Sequence, residues 1–176
     1  PKLMKYKNYY DGIQAILRKA YSDPTKPCNR TVINYCKNIV DSYCGYLATP
    51  GYISYSSSDD IEEIMQILRY NDYQAEDADF LQNALIYGTA AELMYIDKDG
   101  QTRFRTIDPT QCFAVADDSL TGDLMYFVRF YEADEWSDTD IINVDVYSDY
   151  TIKHYRMNGF SLTPTFNMNV EEYSLI

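Results

Sequence analysis

The apolar residues of this chain keep two different periods, one on each side of Gly88. Before it they recur at three- and four-residue steps, which places them on one face of a helix; after it they alternate, which places them on one face of a strand. A chain that spends its helices first and its strands afterwards cannot build the βαβ crossovers of a parallel sheet. The expected class is α+β, N-terminal helices followed by a mostly antiparallel sheet. The change of period divides the sequence into a helical part, residues 1–91, and a β part, residues 92–176, read together as one domain.

Within the helical part, Met4, Ile13, Ile16 and Leu17 suggest an amphipathic helix from Leu3 to Arg18, loosened in its middle by Asp11-Gly12. The prolines of Ser22-Asp23-Pro24-Thr25-Lys26-Pro27 break it. Val32, Cys36, Ile39, Val40, Tyr43 and Leu47 form the strongest helical stripe, which Thr49-Pro50-Gly51 ends before a short extended stretch from Tyr52 to Tyr55. A third helix is expected with Asp59 as N-cap, Glu62 completing a capping box, and Ile61, Ile64, Met65 and Leu68 on one face. A fourth begins near Ala75, with Glu76, Asp77 and Asp79 at its positive end and Ala78, Leu81, Leu85 and Gly88 on its buried side.

In the β part, Glu92 to Ile96 and Thr102 to Ile107 read as a hairpin about Asp97-Lys98-Asp99-Gly100, because Asp-Gly suits the positive φ of such turns. Phe113-Ala114-Val115 and Met125 to Tyr131 follow, separated by the acidic turn Asp117 to Asp123. Ile141 to Tyr147 and Thr151 to Arg156 give a second hairpin, and Asn158-Gly159 announces another turn. The chain starts without Met and stops at Glu171-Glu172-Tyr173-Ser174-Leu175-Ile176 without a closing cap, and reads as a fragment of something longer.

Charge is segregated. Residues 1–60 carry 8 Lys/Arg against 5 Asp/Glu, a net of +3, and residues 61–176 carry 7 against 22, a net of −15. Phosphate binding needs cations to displace condensed counterions, so the second part should repel nucleic acid. No apolar run approaches the ~20 residues that span a bilayer, and PKLMKYKNYY lacks a signal peptide's apolar centre, so the chain reads as soluble and unexported. An unexported chain never meets the machinery that would use Asn29-Arg30-Thr31 as a glycosylation acceptor.

Candidates for chemistry are few. Cys28, Cys36, Cys44 and Cys112 form no C-x-x-C pair and have no histidine at ligand spacing, so neither a metal site nor a disulfide framework is expected. Cys36 and Cys44 read as small buried hydrophobes. His154 is the single histidine, and catalysis would require an orienting carboxylate and a nucleophile that a sequence cannot place. The Asp97 turn lacks the bidentate Glu of a calcium loop, since Thr106 stands there. No catalytic residue and no cofactor are expected. The 19 tyrosines serve strand faces by propensity, yet they exceed what one small core shelters, so some face protein partners.

Five short segments point further. Asn8-Tyr9-Tyr10-Asp11-Gly12 followed by Ile16 resembles the N-terminal helix of tailed-bacteriophage portal proteins, in the family typified by the SPP1 portal. Asn29-Arg30 leading into Val32-Ile33-Asn34-Tyr35-Cys36-Lys37-Asn38-Ile39-Val40-Asp41, with Gly45-Tyr46-Leu47 at its end, resembles the family's second helix. Ile86-Tyr87-Gly88, Glu92-Leu93-Met94-Tyr95-Ile96-Asp97 and Ile107-Asp108-Pro109 continue the pattern in order. One turn departs from it: Ala48-Thr49-Pro50 stands where the family often has Gly-Lys-Pro.

The resemblance implies a structural subunit of a ring, typically a dodecamer, at one capsid vertex of the virion, assembled in the host cytoplasm. The ring is the channel for DNA packaging and ejection and the head-tail connection. Its implied partners are copies of itself, the terminase, the major capsid or scaffold protein and a head-tail adaptor, while genomic DNA passes without specific binding and no membrane is involved. The chain would be the N-terminal wing region, continuing into a strand and a long amphipathic helix. Tyr9, Tyr10, Gly12, Asn34, Tyr46, Tyr87, Gly88, Asp108 and Pro109 are then fold determinants. The competing class is an acidic, tyrosine-rich adaptor that forms no ring.

Overall fold

The computed structural model describes residues 1–20, 27, 29–49, 51, 53–132 and 141–165. The proline-broken stretch from Ser22 to Lys26, Cys28, Pro50, Tyr52 and the terminal Glu171–Ile176 lie outside the described residues. The chain is α+β, and it divides into two compact units, Pro1–Pro109 and Thr110–Ile176. The first hairpin belongs to the same unit as the helices, so the units part at 109/110, whereas the period of the apolar residues changes near 91/92.

The first unit holds α1 (Lys2–Tyr10), α2 (Tyr35–Leu47), α3 (Glu62–Tyr70) and α4 (Tyr73–Tyr87), followed by β1 (Ala91–Ile96) and β2 (Thr102–Ile107). The helix expected over Leu3–Arg18 is broken: α1 stops at Tyr10, Gly12 takes φ 81°, and a separate 3-10 turn covers Ala15–Arg18. A Cβ at Gly12 would sit 3.3 Å from the Asn34 amide nitrogen. Position 12 therefore needs glycine for both dihedral and space.

Caps, more than apolar stripes, decide where the other helices begin. The Asn34 side chain accepts from the Lys37 backbone N–H at 3.1 Å and starts α2 at Tyr35, leaving Val32 outside it. Asp60, not Asp59, accepts from the Glu62 N–H at 3.0 Å, while the Asp59 N–H itself donates to the Ser57 hydroxyl, so the expected capping box does not form. α4 starts at Tyr73, ahead of Ala75, because Asp72 takes the left-handed conformation at φ 53° and lets two helices join across a very short link.

Burial also departs from the stripes. Cys36 is exposed and only Cys44 is half-buried, its thiol pushed up by burial and then by the Asp41 charge. Along α2, Ile39, Tyr43 and Tyr46 face outward. On α3, Ile64 is exposed while Ile61, Met65 and Leu68 are half-buried. On α4 the buried residues are Glu76 and Tyr87; Leu85 and Gly88 are exposed. The apolar core of this unit is Tyr87, Phe104 and Ile107, with Pro109 beside them.

β1 and β2 pair antiparallel from Ala91↔Ile107 to Ile96↔Thr102. The Asp97 carboxylate closes their turn by accepting from the Asp99 and Gln101 N–H groups, both at 2.9 Å. The second unit is a five-stranded antiparallel meander of β3 (Cys112–Ala116), β4 (Leu124–Glu132), β5 (Ile141–Tyr147), β6 (Ile152–Asn158) and β7 (Ser161–Pro164), ordered in space as in sequence. A register shift at Val115/Ala116 bends the end of β3.

Gly88 closes α4 at φ 74°, and a Cβ there would meet nothing within 4 Å. The crowding expected of a buried position is absent, and the dihedral alone demands glycine. Gly88→Val should lower stability by about 1–3 kcal/mol, because a β-branched residue is poorly tolerated in the left-handed region, whereas Gly88→Asn should cost much less. Thermal melts of the two variants distinguish this from simple crowding, which both side chains would suffer.

Candidate functional site

A two-stranded sheet leaves backbone groups on its outer edges unpaired. In the first unit the outer edge of β2 is closed by side chains from the helices. Asn71, 2% exposed, donates to the carbonyls of Ile67 at 2.8 Å and Thr102 at 2.9 Å, and accepts from the Phe104 N–H at 3.3 Å. Glu76, 5% exposed, accepts from the Thr106 N–H at 2.8 Å and pairs with Arg105, and its carbonyl accepts from the Thr106 hydroxyl. Arg103 stacks on Tyr70 at 4.3 Å while pairing with Asp97. Alternate residues of one strand edge thus find their partners in Asn71, just past the end of α3, and in Glu76 on α4.

The motif residues gather into two clusters within this unit. The Tyr10 hydroxyl donates to Asp41 at 2.8 Å and accepts from Gln82 at 2.8 Å and from the Lys37 ammonium at 3.2 Å, which also lies 4.5 Å from the ring. The Asn34 amide donates to the Tyr10 carbonyl at 2.7 Å, with Gly12 against it, so Tyr10, Gly12 and Asn34 meet where α1, α2 and α4 converge. Burial and the Asp41 bond raise the Tyr10 phenol above its ordinary value.

Tyr87 and Asp108 form the second cluster. The buried Tyr87 phenol lies near Asp108 and is pushed up first by burial and then by the Asp108 and Asp11 charges. Lys7 reaches Asp108 at 3.8 Å, and Pro109 is buried at the start of a 3-10 turn. Tyr9 is half-buried at the end of α1, its carbonyl accepting from the Gly12 N–H. Tyr46 is largely exposed on the last turn of α2.

In the second unit the register lines up Cys112, Arg129, Asp145 and His154 across four strands. His154 Nδ1 lies 2.6 Å from the carboxylate of Asp145, which is 5% exposed, so the orienting acid that the sequence could not supply is its cross-strand neighbour. Arg129 stacks on Tyr131 at 4.3 Å, and burial, followed by the Asp145 charge, raises the Tyr131 phenol. Thr165 follows next in the register, its N–H donating to the His154 carbonyl at 3.0 Å, and among the described residues no cluster of three or more His, Cys, Asp or Glu could hold a metal ion. The row is a polar stitch across the sheet.

Neither Glu76, Asn71 nor Asp145 is recognisable from the sequence as buried. An acid in the first turn of a helix is explained equally well by the helix dipole, and a cross-strand partner requires a register. Both stitches can be tested by substitution. Glu76→Ala should cost about 2–3 kcal/mol in denaturant unfolding, because it leaves the Thr106 N–H and Arg105 without their charged acceptor, while Glu76→Gln should keep part of that.

Burial, followed by the Asp145 charge, pushes the Tyr147 phenol up to about 12 from an ordinary 10.0. The folded state then keeps a proton that the unfolded chain releases, so stability is intact below pH 10 and falls as pH rises through about 10 to 12. A stability profile followed with tyrosinate absorbance checks the sign, and Tyr147→Phe should flatten the fall.

A search of curated proteins found no match. The family described as phage portal protein, SPP1 Gp6-like, matches residues 1–173, nearly the whole chain. With that coverage, the chain belongs to the SPP1 Gp6-like family of phage portal proteins.

Proposed function

We propose that these residues form the wing-like domain of a portal subunit, one of a ring of copies at a single capsid vertex. The ring is the channel through which DNA is packaged and ejected and the platform that joins head to tail. The observation that carries this reading is the family match over residues 1–173. Portal proteins are structural components of the phage particle, and the polar clusters described above hold strands and helices together.

On this reading the chain is not an enzyme and takes no cofactor. Its partners are copies of itself, the terminase, the major capsid or scaffold protein and a head-tail adaptor, in the virion and, during assembly, in the host cytoplasm. Among the described residues no helix is long and apolar enough to cross a membrane. Electron microscopy of the full-length protein is the test: annular particles support the ring, and a uniformly monomeric protein favours the acidic, tyrosine-rich adaptor.

A channel that gripped phosphate would stall translocation, so weak contact with DNA is the useful property. The net −15 of residues 61–176 supplies repulsion, and the +3 of residues 1–60 is too dilute for a phosphate track. An anisotropy titration in ~150 mM salt, where the Debye length is about 8 Å, should show no saturable duplex binding. Submicromolar affinity with a steep salt dependence would contradict it.

A further inference from the structure

In a meander, alternate turns share one end of the sheet. At one end of the second unit lie the loop from Asp117 to Asp123 and the turn from Ser148 to Thr151. The loop is braced by the Asp117 carboxylate, which accepts from the Ser119 hydroxyl at 2.6 Å and from the Ser119 and Asp123 N–H groups at 3.2 and 2.9 Å. These bonds, the Ser119 hydroxyl's first, hold that carboxyl below its usual range. The turn is closed by Ser148, whose backbone N–H and hydroxyl both donate to the Thr151 carbonyl.

Between these two braced turns opens a groove of about 750 Å³. Val128, Val146, Tyr126 and Tyr155 line it together with Asp123, Asp149 and Tyr150, which is 68% exposed; Lys153 is its one base. Among the described residues neither the Asp123 nor the Asp149 carboxylate has an ion pair or hydrogen bond. Aromatic faces bordered by unpaired acids suit a lysine, whose ammonium meets the carboxylates while its stem and charge lie over the rings.

The first unit carries the matching chemistry. On α1, Lys2, Lys5 and Tyr6 are exposed and share one face at i, i+3 and i+4 spacing. Neither ammonium has an ion-pair partner among the described residues; Lys2 lies only 5.9 Å from the Tyr6 ring.

We propose that the groove takes the Lys2–Lys5–Tyr6 face of α1 from a second copy of this chain, an inference that rests on reading the chain as a subunit that meets its own copies. Charge complementarity selects this occupant: the chain keeps +3 in residues 1–60 and −15 in the rest, and the charges concerned on both surfaces are unpaired. The contact is heterologous, one surface of a copy meeting a different surface of the next, which is the kind that closes into rings. It is small and charge-driven, so by itself it is weak and sensitive to salt.

Sedimentation velocity of the 176-residue chain at high concentration tests it with two charge reversals, Asp123→Lys with Asp149→Lys and Lys2→Glu with Lys5→Glu. The native chain should associate in low salt and separate in ~1 M salt, where the Debye length is about 3 Å. Each reversed variant alone should stay monomeric, and an equimolar mixture of the two should associate again, because each then offers the other a complementary pair of surfaces. Should a reversal impair folding, as seen in its melt, Asp123→Asn with Asp149→Asn takes its place and should likewise lose association. A native chain monomeric in low salt, variants that associate as the native chain does, or a mixture that stays monomeric would each overturn the proposal. Annular particles from the native full-length protein alongside any of these failures would leave the portal reading standing while this contact falls.

Discussion

The first unit depends on how the open edge of its two-stranded sheet is satisfied. A lone hairpin is marginal in water, and β2 would present unpaired N–H and C=O groups wherever no third strand covers it. Asn71 and Glu76 do the work of that strand. They meet the Thr102 carbonyl and the Phe104 and Thr106 N–H groups from one side, and they belong to the α3–α4 corner that Asp72 makes possible. The small core of Tyr87, Phe104 and Ile107 forms beside this polar seam. Burying a carboxylate is costly unless charge and hydrogen bonds answer it, and Arg105 with the Thr106 N–H supplies both.

The second unit solves a similar problem with a row of side chains running across its strands. Asp145 faces His154 on one side and Arg129 on the other, and burial, followed by its charge, raises the phenols of Tyr131 and Tyr147. A sheet built only from hairpins gains in uniqueness from such a row. Slipping any strand by one residue would turn these polar groups to the opposite face and leave Asp145 buried without a partner.

The change of period near Gly88 was legible because it is written locally: φ/ψ preference and side-chain direction act within a few residues. Strand positions followed closely, since turn pairs such as Asp99-Gly100 and Asn158-Gly159 bound the runs sharply. Helix starts were less legible, because Asn34, Asp59, Asp60 and Asp72 are all plausible caps and the choice among them depends on tertiary contacts. The order of short motifs identified the family, and the match over residues 1–173 agrees with it. What those motifs hold together was not legible. That Tyr10 meets Gln82, or Asn34 meets the Tyr10 carbonyl, is a fact of packing between segments far apart in the chain.

One property of the meander reaches beyond the folded state. Every strand of the second unit pairs only with its neighbours in sequence, from β3 beside β4 to β6 beside β7. Contact order in this sheet is therefore low for an all-antiparallel structure, and no long loop must close before pairing is rewarded. The sheet can lengthen one hairpin at a time behind a ribosome. Such a region reaches its native pairing early and spends little time with open strand edges, where chains aggregate.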